Sequence, residues 1–148
     1  WGDNWQGQLG NNAYGSSGSR SSPVQIGYAQ WASVGVGSSW CHAIRTDGTL
    51  WGWGSNSQGV IGIGSTTAYS SPVQVGALTN WKEVDGGKFH AVAVKTDGTM
   101  WTWGKNTGGV LGQNNTTAYD SPVQIGSLTT WLNVVAGSNH NVMLKSIT

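Results

Sequence analysis

The sequence predicts an all-β fold, a β-propeller built from four-stranded antiparallel blades. Three observations predict it. Trp31, Trp81 and Trp131 recur every fifty residues, and Gly37, Gly87 and Gly137 keep the same spacing. The stretch TDGTLWGWG at 46–54 returns as TDGTMWTWG at 96–104. No stretch of useful length shows the apolar period of a helix. A repeat of this length that reads as short strands and tight turns is the signature of a propeller blade.

Each unit reads as four strands. The first starts at Trp31, Trp81 and Trp131, and in the first unit runs to Val36. The second is the apolar run around Ala43–Ile44, Ala91–Val94 and Val142–Leu144. Asp47-Gly48 and Asp97-Gly98 then make tight hairpin turns, because both residue types tolerate positive φ. The third strand is TLWGWG or TMWTWG, rich in aromatic β-formers. A polar loop follows. The fourth strand is read from PVQ[IV]G, which occurs after Ser22, Ser71 and Ser121. Pro23, Pro72 and Pro122 cannot donate to a ladder, so they suit strand starts or an edge.

One blade cannot bury both of its faces and must stack on neighbours. Nine of the ten tryptophans fall on shared repeat slots or replace a partner there, and Trp5 is left over. These indoles and the recurring valines are expected to fill the gaps between blades. The units divide as 1–30 (a partial blade), 31–80, 81–130 and 131–148 (a second partial blade), forming a single propeller segment.

The bulk composition excludes several classes of function. Only 9% of the 148 residues are charged and the net charge is +1, so there is no basic stripe for nucleic acid and no acidic tail. No apolar run reaches the length of a bilayer span, and no membrane insertion is expected. Cys41 is the single cysteine, so no internal disulfide can form. A chain with 24 glycines but also 10 tryptophans reads as folded and turn-rich rather than disordered.

The pattern W-x-x-V-x-x-G, then T-D-G-T-[LM]-W-x-W-G-x-N-x-x-G-x-[LI]-G, then S-P-V-Q-[IV]-G resembles the repeat of the regulator of chromosome condensation family, over nearly the whole chain. The kelch repeat has similar length and a Gly-Gly pair. Gly86-Gly87 and Gly108-Gly109 are not matched in every unit, which places kelch second. The resemblance implies a ring of about seven blades, of which this chain holds about three units. The expectation is a portion of a larger propeller. The alternative is self-association of copies to complete the ring, since by the repeat spacing Trp1 would follow Thr148 after only about four positions.

Titratable residues form no catalytic motif. His90 and His140 share one slot, held in the first unit by Trp40, and are expected to be structural. His42 stands where Val92 and Val142 stand and reads as a local compensation for Trp40. Asp47 and Asp97 belong to turns on separate blades and cannot act as a carboxylate pair. Cys41 with His42 is the one conceivable nucleophilic pair, and no repeated base accompanies it. The sequence therefore predicts no enzyme and no catalytic, cofactor or metal site.

Function in a repeat scaffold is expected where the copies differ. The connections between first and second strands read Ser38-Ser39, Lys88-Phe89 and Ser138-Asn139, and the loops after the third strand also vary. In an up-and-down blade these two loop sets share one face. The candidate binding face comprises Trp5, Tyr14, Arg20, Tyr69, Lys88, Phe89, Tyr119 and Asn139. Aromatic side chains among Ser, Asn and Gly suit an adaptable recognition surface. For Tyr14, Tyr69 and Tyr119 the competing reading is that they pack down their own loops.

The reading is a non-enzymatic binding or adhesion module with a protein or glycan partner, with no nucleic acid and no cofactor. The low-charge, Asn/Ser/Thr/Gly-rich composition suits an extracellular, cell-surface or virion setting. The first alternative is a purely structural scaffold within a larger complex. The second, implied only by the resemblance, is guanine-nucleotide exchange or chromatin-type interaction, whose loops and basic surfaces the sequence lacks.

Overall fold

The computed structural model describes residues 1–147. It contains two complete blades and the inner half of a third. The first complete blade is β1 (Trp31–Val36), β2 (Trp40–Arg45), β3 (Leu50–Gly54) and β4 (Tyr69–Gln74), hydrogen-bonded in that order. The next is β5 (Trp81–Gly86), β6 (His90–Lys95), β7 (Met100–Gly104) and β8 (Tyr119–Gln124). The half-blade is β9 (Trp131–Ala136) paired with β10 (Asn141–Lys145). Every strand pair is antiparallel. Helix is confined, among the described residues, to the 3-10 turns Ser16–Gly18 and Thr107–Gly109.

Three details differ from the sequence reading. The fourth strand begins at Tyr69 and Tyr119, three residues before its proline. Pro72 and Pro122 sit inside an outermost strand, beside a register shift, where a missing N–H costs no ladder bond. In the first unit, the SPVQIG segment forms no strand, and Gly2 pairs with Arg20 in an isolated bridge. With no second strand beside it, that pair has no sheet to extend. Finally, only the glycine of each Asp-Gly turn has positive φ, 79° at Gly48 and 77° at Gly98. The hairpin is a four-residue connection closed by Gly48 N donating to Arg45 O and Arg45 N donating to Thr49 O. That is a turn completed by a left-handed glycine rather than two left-handed residues.

The aspartate has another task. Asp47 Oδ1 accepts from the Thr49 backbone N–H (3.0 Å) and hydroxyl (2.6 Å), and that hydroxyl accepts from Trp51 Nε1 at 2.8 Å. Asp97, Thr99 and Trp101 repeat the chain of bonds. The Thr49 and Thr99 donors hold both carboxyl groups below their ordinary range. Each turn also touches the next blade. Trp81 N donates to Gly48 O and Trp131 N to Gly98 O. A Cβ at Gly48 or Gly98 would lie 2.0 Å from a backbone oxygen of the next connection, so only glycine fits.

Blade stacking explains the valine slot. Val84 is 4% and Val134 5% exposed, each against the preceding blade, whereas the equivalent Val34 is 66% exposed. On the other side, Val92 is fully buried while its counterpart Val142 is 60% exposed. Indoles seal the seams. Trp103 Nε1 donates to Val60 O of the preceding blade's loop at 2.7 Å, and Trp53 Nε1 donates to Gln8 O at 2.9 Å. Cys41 Sγ joins Trp53 on Gln8 O, and Asn141 Nδ2 takes the third equivalent carbonyl, Val110 O. Arg45 lies 3.7 Å from the Trp51 ring centre and Lys95 lies 3.6 Å from that of Trp101, adding cation–π attraction in each blade.

One pair of positions is exchanged between blades. His42 faces Gly52 across the β2–β3 ladder, and Val92 faces Thr102 across β6–β7. His42 Nε2 donates to Ile61 O at 2.9 Å. In the next blade Thr102 Oγ1 donates to the equivalent Leu111 O at 2.8 Å. Gly52 is required by the histidine, since a Cβ there would come within 2.8 Å of its ring. His42→Val is therefore expected to cost roughly 1–3 kcal/mol by orphaning Ile61 O. Adding Gly52→Thr should recover most of it. Denaturation of the two single variants and the pair gives the coupling, and additive losses would refute the exchange.

The same histidine makes stability acid-sensitive. Burial lowers its pKa to about 4, and its Nδ1 is buried without a partner to receive a proton. The unfolded chain binds that proton near the ordinary value of about 6.5. Stability is thus full above about pH 6.5 and falls toward pH 4, by roughly 3 kcal/mol. His90, also lowered chiefly by burial, contributes in the same direction. The His42→Val/Gly52→Thr variant should show a visibly flatter stability profile across this window.

Candidate functional site

The turns between first and second strands and the loops after third strands do lie together. They are arranged by one residue per unit. Asn4, Asn56 and Asn106 are buried, and each holds its loop closed. Asn106 Oδ1 accepts from Leu111 N, and its Nδ2 donates to Asn115 O and Thr117 O. Asn56 makes the equivalent bonds to Ile61 N, Ser65 O and Thr67 O. Asn4 accepts from Leu9 N and donates to Ala13 O, so the first unit keeps this loop without a sheet behind it.

Phe89 is the centre of the face. It ends the β5–β6 turn and lines two hollows at once. One, of about 340 Å3, lies between the first complete blade and its neighbours, with Gln6, Ser38, Ser39, Ser57 and Gln58 at its wall. The other, of about 200 Å3, is lined by Lys88, Phe89, His90, Lys105, Thr107, Val110 and Asn139. Lys88 Nζ and Lys105 Nζ each stand 5.4 Å from the Phe89 ring centre. The turns are tied to each other across blades, with Ser38 Oγ donating to Lys88 O and Lys88 N donating to Ser138 O, both at 3.0 Å.

The floor of the smaller hollow is fixed. Asn141 Nδ2 donates to Val110 O at 2.8 Å, which turns its Oδ1 toward His90. His90 Nε2 lies 2.9 Å from that oxygen and so carries the ring proton. Burial lowers the His90 pKa, and the imidazole is neutral at pH 7. Its partner is thus the Asn141 side chain, in keeping with the structural role expected from the sequence.

Of the sequence-predicted residues, Lys88, Phe89 and Asn139 line one hollow. Trp5 is 64% exposed, next to Gln6 of the other hollow. Tyr14 is exposed and leans toward Gly7 and Ser70. Arg20 donates to Ser17 O and Ser19 O within its own loop. Tyr69 and Tyr119 are half-buried first residues of strands and pack on the core. Lys105 is the residue the sequence reading missed. It replaces Ser55 and Asp3 at a varying slot beside the loop asparagine, which was the available signal.

The reactive candidates are placed in structural roles. Burial pushes the Cys41 thiol up to about 11, and its Sγ is bonded to Gln8 O. A thiol held protonated is a poor nucleophile at neutral pH. Among the described residues no group of three His, Cys, Asp or Glu side chains converges as metal ligands would.

Comparison with known proteins bears on this geometry. The sequence profile of the regulator of chromosome condensation (RCC1) repeat matches residues 47–94 and 97–144, and a second profile of the same description matches 81–110. No curated protein sequence matches the chain. The fold is similar to that of Prp20p from Saccharomyces cerevisiae, with a TM-score of 0.84 and 21% identity over 97% of this chain. It is also similar to yeast RCC1 (Prp20) in complex with Kap60, with a TM-score of 0.86 and 21% identity over 99%. Human WBSCR16 aligns over 83% of the chain at 20% identity and a TM-score of 0.72. The chain spans 38% of the length of either yeast chain and 33% of the human one.

Proposed function

Because this chain belongs to the regulator of chromosome condensation repeat family, we propose that it is a non-enzymatic protein-binding propeller segment. Its contact face is the one centred on Phe89. The observation that carries the reading is the arrangement of that face: an aromatic ring between two hollows, flanked by two ammonium groups, on turns tied blade to blade. Such a preordered aromatic anchor is what an interface hot spot needs. Prp20p, studied for its binding to Gsp1p and histones, supports a protein over a glycan as the ligand class. The low-charge, hydroxyl- and amide-rich composition supports display on a cell or virion surface as the setting.

The test replaces Trp5 and Phe89 by alanine and Lys88 and Lys105 by glutamate in one variant. Proteins retained by the immobilised wild-type chain from an extract of the source organism should be recovered at least tenfold less. Circular dichroism should show the same sheet signal. Equal recovery by a folded variant would sink the reading.

A second reading, an assembly element, draws on two apolar sheet faces that a further blade, of this chain or of another, would cover. Val34 and Val36 are exposed on one side, and Val135, Val142 and Leu144 on the other. Contiguous apolar surface of this kind marks a contact site. Loss of a larger assembly on Val142→Ser/Leu144→Ser, with partner capture intact, would separate this reading from the first.

A further inference from the structure

We propose that the hollow beside Phe89 takes an acidic polypeptide segment, its carboxylates on Lys88 and Lys105 and an apolar side chain laid between them against Phe89 and Val110. The inference rests on the protein-binding reading above and names the chemistry of the partner.

Charge complementarity decides the occupant. The chain has seven Lys and Arg residues. Arg45 and Lys95 are spent on tryptophan rings, Lys82 on Leu132 O, and Arg20 on Ser17 O and Ser19 O, while Lys145 is exposed at the end of β10. Lys88 and Lys105 instead converge on one ring from different loops, and neither makes an ion pair among the described residues. Two ammonium groups flanking one aromatic ring present paired positive charge that complements an anionic partner. Asn139 and Thr107 at the rim supply donors and acceptors for a peptide backbone.

The shape argues for a side chain rather than a chain of phosphates. A hollow of about 200 Å3 with Phe89 and Val110 in its lining accepts one apolar group. Two cations are too few for a polyphosphate track, whose affinity grows with each neutralised charge. The floor is set before binding by the His90–Asn141–Val110 network, so little ordering is lost on contact.

The experiment titrates the isotope-labelled full chain with a short synthetic peptide carrying glutamates on both sides of a central phenylalanine. A counterpart has glutamine at every glutamate. Amide shifts are expected at Lys88, Phe89, Lys105 and Asn139. The glutamate peptide should bind at least tenfold tighter than the glutamine one, and weaken with added salt. Lys88→Gln/Lys105→Gln should abolish that preference. Equal binding of both peptides at this face overturns the acidic partner and leaves the protein-binding face standing. Shifts confined to other surfaces overturn both. A heparin-derived oligosaccharide that moves these amides when the glutamate peptide does not would overturn the polypeptide in favour of an anionic glycan.

Discussion

Trp103→Ala lowers stability by roughly 3–5 kcal/mol, the range for truncating a fully buried aromatic. The indole is 0% exposed and sits in the seam between the two complete blades. It touches Trp81 edge-on at 6.2 Å and His42 at 5.3 Å, and it bonds Val60 O of the preceding blade. Alanine removes the packing and orphans that carbonyl together. Trp103→Phe separates the two effects. It keeps a six-membered ring in the seam and loses the N–H with the rest of the five-membered ring, so it should cost less than alanine, roughly 1–3 kcal/mol. Urea denaturation of the three proteins provides the measurement. Equal losses for phenylalanine and alanine would mean that the bond, and not the packing, holds the seam.

Asn106→Ala is the second large effect, at roughly 3 kcal/mol, because one buried and two partly buried bonds vanish at about 1 kcal/mol each. The Leu111 N–H and the Asn115 and Thr117 carbonyls lose their partner together. Amide exchange should accelerate throughout 105–118 while β5 and β6 stay protected. Asn106→Asp discriminates the mechanism. It keeps the acceptor for Leu111 N but points a carboxylate oxygen at two carbonyls, so it should be no better than alanine at neutral pH. Protonating that carboxylate restores a donor, so the deficit should shrink in acid. An aspartate variant as stable as wild type would show that the amide donors contribute nothing.

These two residues also show how far the sequence could be read. Trp103 was legible because its slot recurs in each unit with the same residue type, and recurrence alone implies a shared structural task. Asn106 recurred too, yet its role as loop organiser could not be assigned, because its partners lie five to eleven residues away in an irregular loop. The His42/Gly52 and Val92/Thr102 exchange was hidden for a different reason. It needs the cross-strand register, and the sequence showed only that His42 broke a pattern.

The candidate site was half legible. Lys88, Phe89 and Asn139 stood out because they vary at turns whose neighbours repeat. Lys105 did not, since its slot is polar in every unit and its approach to Phe89 depends on how the next loop folds back. The tyrosines were ambiguous for the opposite reason. An aromatic at a loop end serves equally as an anchor for a partner or for its own strand, and the sequence carries no measure of its exposure. Tyr69 and Tyr119 are half-buried against the core, and Tyr119 Oη accepts from Asn115 Nδ2.

Charge reversal beside Phe89 tests the proposed recognition of a partner through the flanking cations with the least disturbance to the fold. The measurement is the dissociation constant of the captured partner for the wild-type chain and for Lys88→Glu/Lys105→Glu, taken beside their melting temperatures. A loss of affinity of at least tenfold at unchanged melting temperature is expected. Unaltered affinity in the doubly reversed chain would contradict it.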